Sequence, residues 1–129
     1  MTDTSSTTRA TRVRTIGVPV RDQDRALTFY TSVLGFDPSL DVPLGGGGRW
    51  IEVAPPGGGT TIALILAKPG APAGVETGIR LCATYADAFR RHLLDRGASA
   101  DEVLRWPGVP PMFAFRDQDG NGLEIVQES

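Results

Sequence analysis

Glu124 is the carboxylate of this sequence with the strongest claim to a chemical role, because it follows a glycine-rich turn and lies near the start of an apolar C-terminal segment, 123–127. A glutamate in that position is the candidate catalytic residue, acting as a general base, or a group that orients a ligand. The structural interpretation is an ion pair with Arg80 across a sheet. Buried carboxylates are rare without a partner, so the sequence leaves both interpretations open.

Three apolar side chains, Trp50, Trp106 and Met112, are candidate walls of a pocket. Both tryptophans follow an arginine and adjoin loops, and 106–111 is a stiff, proline-rich apolar segment. Such a segment suits a flat or aromatic ligand. With Arg80 and Glu124 to orient the ligand, these three complete the predicted binding set.

Other chemistry-bearing residues predict structure instead. The alternating acidic residues of 117–120 suggest a calcium loop, but their glycine is at the fourth position and a calcium loop needs it at the sixth. They therefore predict a turn in which Gly120, Asn121 and Gly122 have positive φ. Gly45 to Gly48 lack the lysine of a phosphate loop. Cys82 is predicted to be a small core residue, and the single histidine, His92, to lie on a helix surface.

Composition limits the class of protein. The chain has 129 residues, a formal net charge of −2 and one cysteine. A slightly acidic chain without a basic stripe is not expected to bind nucleic acid, and no apolar run reaches the roughly 20 residues that span a membrane. With no internal disulfide possible, we expect a cytoplasmic protein. The Ser/Thr-rich residues 1–12 are predicted to be a disordered leader.

The elements that position these residues repeat once. The first unit, about 13–67, is predicted as strand 13–20, helix 23–34 and strands 36–42, 49–54 and 60–67. Asp22 caps the helix and Gly35 ends it. The second unit, about 75–128, has strand 78–83, a helix capped by Thr84 and ended by Gly97, and strands 101–105, 112–116 and 123–127. The two glycines are 97 − 35 = 62 residues apart.

Two such βαβββ units, joined by a linker at 68–74, predict one α+β domain. We expect a curved mixed sheet around a cavity, with the helices outside. Pro19 cannot donate to a β-ladder, so its strand is predicted to lie at an edge or at a junction between sheets.

The chain resembles the vicinal oxygen chelate superfamily, the glyoxalase, bleomycin-resistance and extradiol dioxygenase proteins. The matching residues are 20–22 leading into 26–30, then 34–36, 49–53 and 115–125. The resemblance implies a divalent metal held by His and Glu side chains. Those positions are Thr15, Ala63 and Gly78, and only Glu124 keeps a ligand, so we expect no metal and no other cofactor.

The resemblance therefore predicts a metal-free protein that binds a small apolar or aromatic organic molecule in a concave pocket, as the bleomycin-resistance proteins do. It also implies a homodimer, with pockets sometimes built from both chains. Two alternatives stay open. One is a lyase, isomerase or dioxygenase with an unconventional metal site or with Glu124 as the acid–base group. The other is an accessory module that contacts proteins and has no ligand.

Overall fold

The computed structural model describes residues 7–128 and confirms the α+β class. Its strands and helices, in chain order, are β1 (Thr15–Val20), α1 (Gln23–Thr28, continued by a π-helical turn, Phe29–Val33), β2 (Asp37–Pro43), β3 (Arg49–Ala54), β4 (Thr61–Leu66), β5 (Glu76–Ala83), α2 (Ala86–Asp95), β6 (Met112–Arg116) and β7 (Gly122–Gln127). Residues 1–6, half of the predicted leader, lie outside the described part. None of the described helices has the length and apolar character needed to cross a membrane.

Within the described residues, the strands form two mixed sheets. Sheet 1 has the order β1-β4-β3-β2, and sheet 2 has the order β5-β7-β6. In each sheet the strand before the helix pairs in parallel with the last strand of its unit, and the other pairings are antiparallel. As Pro19 predicts, β1 lies at an edge.

One face of each sheet packs into the shared hydrophobic core, where the helices also lie. Alternate residues such as Val18, Leu64, Phe113 and Ile125 are buried there with Tyr30 and Leu93 of the helical segments. Because successive strand residues point to opposite sides, the other residues form a helix-free face. We call these the helix-free face of sheet 1, with Thr15, Gly17, Trp50, Glu52, Ala63 and Ile65, and the helix-free face of sheet 2, with Arg80, Cys82, Met112, Ala114 and Glu124.

The first predicted helix cap is confirmed and the second is wrong. The Asp22 carboxylate accepts from the Arg25 backbone N–H at 3.0 Å, and Gly35 follows the helix with a φ of 82°. Helix α2 begins one residue later than predicted, so its N-cap is Tyr85 and not Thr84. The Gln127 side chain of β7 accepts a hydrogen bond from the Ala86 N–H at 3.0 Å and so replaces the cap that a neighbouring residue would provide.

Three further expectations are wrong. Segment 101–105 is not a regular strand, since it meets β6 only at two isolated bridges, Ala100 to Phe115 and Leu104 to Met112. Cys82 is exposed because it lies on the helix-free face of sheet 2. In the 117–122 turn, only Gly120 has positive φ, at 82°.

The fully buried side chain of Asn121 holds this residue in the turn through its hydrogen bonds. Its amide nitrogen donates to the Pro19 carbonyl at 2.9 Å and to Asp117 at 2.9 Å. Its amide oxygen accepts the backbone N–H groups of Gly74 and Val75 at 2.8 and 3.0 Å. One side chain thus joins the edge strand of the first unit, the linker and the last turn of the second unit.

Tyr30 and Asp119 complete this inter-unit network. The buried Tyr30 hydroxyl donates to Asp117 at 2.8 Å, and Asp119 accepts the Arg21 backbone N–H at 2.8 Å. Burial, followed by the charge of Asp117, raises the pKa of Tyr30 far above its ordinary range, so Tyr30 stays a hydrogen-bond donor. The network fixes how the two units pack against each other.

We predict that Asn121→Ala lowers the free energy of unfolding by about 2–4 kcal/mol, because it leaves buried backbone donors and an acceptor unpaired. Gln118→Ala is the matched control: this amide in the same turn donates a hydrogen bond to Asp119 at 3.1 Å, and its loss should cost less than about 1 kcal/mol. Urea denaturation of both variants measures the difference. Equal losses would contradict the role given to Asn121.

Candidate functional site

Glu52 is the central polar group on the helix-free face of sheet 1. The residue is 2% exposed, yet its carboxylate is bound by three donors. One carboxylate oxygen accepts from the Trp50 indole N–H at 2.8 Å and lies 3.5 Å from the Arg14 guanidinium. The other accepts from the Thr61 hydroxyl at 2.8 Å. Strand alternation places Trp50 and Glu52 on one face, and β4 brings Thr61 beside them.

These donors keep Glu52 ionised. The Trp50 indole is the main cause that lowers the pKa of Glu52, with Thr61 and Arg14 adding to it against the opposing effect of burial. At the same end of β3, Arg49 binds the Asp41 and Asp24 carboxylates at 3.1 and 2.7 Å, and its hydrogen bonds lower the pKa of Asp41. The carboxylates of this region are therefore already matched by donors.

A cavity of about 230 Å³ opens beside Glu52. Its walls come from strands of sheet 1, the 55–59 loop and the segment that precedes β1. The lining residues are Arg12, Arg14, Ser39, Leu40, Glu52, Gly59 and Thr61. Leu40 and Val42, which face Glu52 and Trp50 across β2 and β3, make the neighbouring surface apolar.

On the helix-free face of sheet 2, Arg80 and Glu124 form the ion pair that the structural interpretation predicts, at 2.8 Å between Nε and Oε1. They face each other in the parallel register of β5 and β7. A cavity of about 130 Å³ lies beside them, with Ala114 and Gly122 in its wall. Met112 lies on the same face, at the start of β6.

The predicted binding set is divided between the two sheets. Trp50 belongs to sheet 1, while Arg80, Met112 and Glu124 share one face of sheet 2. Trp106 lies in the loop before β6 and is 65% exposed. The cavity beside Glu52 is lined from sheet 1 and its flanking segments, and the cavity beside Glu124 from sheet 2.

The two units also leave a groove between them. Two adjoining cavities, of about 640 and 400 Å³, share the wall residues Phe36, Pro55, Leu81, Cys82 and Glu128. The smaller one reaches Arg80 and the edge of β1 at Ile16, and the larger one reaches α2 at His92. His92 is half-buried, and its Nε2 lies 2.8 Å from the Val33 carbonyl oxygen, so it joins the two helical segments.

The positions that the family resemblance assigns to a metal do not fit one. Thr15 and Ala63 lie on sheet 1, Gly78 has no side chain, and Glu124 is paired with Arg80. In residues 7–128, no three His, Cys, Asp or Glu side chains form a group able to hold a metal ion. One paired carboxylate is far from the three or more protein ligands of an ordinary site.

The predicted site included Trp50 but left out Glu52 and its other two donors, Thr61 and Arg14. The signal was present in 49–54, where a single glutamate lies within a strand that is otherwise apolar after Arg49. What the sequence does not give is the register that places Thr61 and Arg14 next to that glutamate, since both come from other segments.

Comparisons with known proteins agree with this geometry. Residues 12–125 match the family model described as the glyoxalase/bleomycin resistance protein/dioxygenase superfamily. TnmS3, an antibiotic binding protein from Streptomyces sp. CB03234, is 34% identical, with 93% of this chain and 98% of that chain covered and a TM-score of 0.82. A superfamily member from Sphaerobacter thermophilus DSM 20745 is 32% identical over 92% and 98% of the two chains, with a TM-score of 0.85. The uncharacterised protein YurT of Bacillus subtilis (strain 168) is 31% identical over 84% of this chain and 93% of its own length.

The ionised state of Glu52 predicts a pH dependence of stability. A lowered folded-state pKa contributes stability above the ordinary glutamate pKa of about 4.3, and this contribution is lost as pH falls through the lower folded-state value. Glu52→Gln should therefore lower the melting temperature near neutral pH, and the gap to the wild type should close as pH falls below about 4. Thermal melts at a series of pH values test this, with the exposed Glu102→Gln as the charge control. A gap that is independent of pH would contradict it.

Proposed function

The chain belongs to the glyoxalase/bleomycin resistance protein/dioxygenase superfamily, and from this premise we propose that it is a metal-free protein that binds a small apolar or aromatic organic molecule. The observation that carries the proposal is the character of the two helix-free faces. Each holds a charged group fixed by its partners, Glu52 on one and Arg80 with Glu124 on the other, within an apolar surface. Such a face suits recognition, since an apolar surface with a few fixed polar groups is typical of ligand sites.

The function of one similar protein supports a binding role. TnmS3 is described as an antibiotic binding protein, and this chain aligns with nearly all of it. An antibiotic is a small organic molecule, so we extend that ligand class, and no particular compound, to this chain. The Arg80–Glu124 pair favours binding over turnover, because in this geometry Glu124 holds a guanidinium in place.

We further propose that the working form is a homodimer in which the helix-free faces of two protomers enclose the ligand. In one chain these faces are partly open: Ile65 on sheet 1 is 38% exposed and Val42 is 42% exposed. A face of sheet 1 from one protomer over a face of sheet 2 from its partner would bring Trp50 towards Arg80, Met112 and Glu124. Dimerisation would thus assemble a binding set that one chain keeps apart.

Native mass spectrometry tests the ligand and metal proposals together. Protein purified without chelators or a metal-affinity step is expected to be a dimer that carries an organic mass, released on unfolding, and no stoichiometric divalent metal. A stoichiometric divalent metal would contradict the proposal and favour the lyase, isomerase or dioxygenase alternative.

The dimer has its own test. Ile65→Asp places a charge on the exposed apolar part of the sheet 1 face, and burial of an unpaired charge in an interface is strongly unfavourable. We expect this variant to sediment as a monomer with an unchanged circular dichroism spectrum. Leu94→Asp is the matched control, because Leu94 is 44% exposed on α2, away from both faces. A monomeric wild type, or a dimeric Ile65→Asp variant, would contradict the proposed interface.

A further inference from the structure

The cavity beside Glu52 carries an excess of positive charge. Among its lining residues, two guanidinium groups, Arg12 and Arg14, stand against one carboxylate, which leaves a net charge of +1. The other walls are uncharged. Arginine is always protonated in proteins, so this excess is permanent.

The carboxylate of Glu52 is already bound by donors of the protein itself. Its oxygens accept from Trp50 and Thr61 at 2.8 Å each, and Arg14 approaches at 3.5 Å. The carboxylate therefore works as an internal anchor: it is 3% exposed as a side chain, whereas the Arg14 side chain beside it is 64% exposed. Of the five N–H donors on a guanidinium, Arg14 directs one towards Glu52 at long range, and the others remain for a partner.

Arg12 pairs with no carboxylate in the part of the chain that the structure describes. Asp41, which follows the cavity residue Leu40 on β2, is held by Arg49. The backbone also fixes this segment, because the Arg14 carbonyl accepts the Thr61 N–H at 3.0 Å and the Val13 carbonyl accepts the Thr60 hydroxyl at 2.9 Å. The two arginines thus project from an anchored chain, and Glu52 offsets only one of their two positive charges.

We propose that Arg12 and Arg14 form an anion subsite, and that the ligand is an aromatic or apolar molecule bearing a carboxylate, sulfonate or phenolate. This inference rests on the proposed function, to which it adds the charge of the ligand. The anionic group offsets the positive charge that Glu52 leaves unmatched in this cavity, and planar guanidinium forks match a carboxylate or sulfonate. The apolar body lies on the adjacent surface formed by Leu40, Val42 and Trp50.

A matched pair of fluorescent probes tests the charge separately from the apolar contact. They are 8-anilino-1-naphthalenesulfonate and N-phenyl-1-naphthylamine, the same ring system without the sulfonate. We expect the wild-type protein to bind the sulfonate about tenfold more tightly than the neutral probe, as charge-assisted hydrogen bonds would give. In Arg12→Gln/Arg14→Gln this preference should fall to about twofold or less, while affinity for the neutral probe is unchanged.

The controls match the charge change. Arg25→Gln/Arg91→Gln removes two exposed arginines on the helices and should keep the tenfold preference. Arg12→Gln alone leaves the Arg14–Glu52 contact intact and should lose part of the preference, so the test does not depend on the double variant folding. Circular dichroism verifies the fold of each variant.

The outcomes separate the two proposals. If the wild type binds both probes equally, or if the double variant keeps the preference, the anion subsite is overturned and the binding function stands. An equal loss of both probes in the double variant also overturns the subsite, because the arginines would then only shape the pocket. If the wild type binds neither probe, the proposed function fails, and the subsite fails with it.

Discussion

The hydrogen bonds of Asn121 are the constraint on which the rest of this structure depends. A repeat of two βαβββ-like units gives two sheets, each able to bury one face on a helix, but it does not decide how the units meet. The fully buried Asn121 side chain decides it, by binding the Pro19 carbonyl of the first unit and two N–H groups of the linker region. Buried amides satisfied at every position specify one arrangement, since any other leaves them unpaired.

That arrangement directs the helix sides of both sheets into one core and leaves the helix-free faces partly open. The core takes the large apolar residues from both units, including Tyr30, Phe113 and Phe115. The charged groups therefore collect on the opposite faces, where Glu52 and the Arg80–Glu124 pair lie. Strand alternation thus separates packing from recognition: alternate residues of one strand lie either in the core or on the helix-free face.

How much of this could be predicted from the sequence depends on the range of the interactions. Local signals were sufficient for the α+β class, the Asp22 cap and most strand bounds, because capping and alternation are read within a few residues. Thr84 failed as a cap because its competitor, Gln127, is 127 − 84 = 43 residues away. Positive φ is likewise the wrong reason for Asn121 in its turn, because its buried side chain holds it there through partners in distant segments.

The same limit explains why the sequence indicated Glu124 and overlooked Glu52. Glu124 stands out because it follows a conspicuous turn, yet its carboxylate is balanced by a single arginine and half-buried. Glu52 stands in an apolar strand without a motif, and only the packing of β4 and of the segment before β1 against β3 shows that it is almost fully buried and bound by three donors. Burying a charge is costly unless it is paired. Glu52 is such a buried and paired charge, and it lies beside an open cavity. The exposed arginines next to it carry positive charge on the solvent side of that cavity.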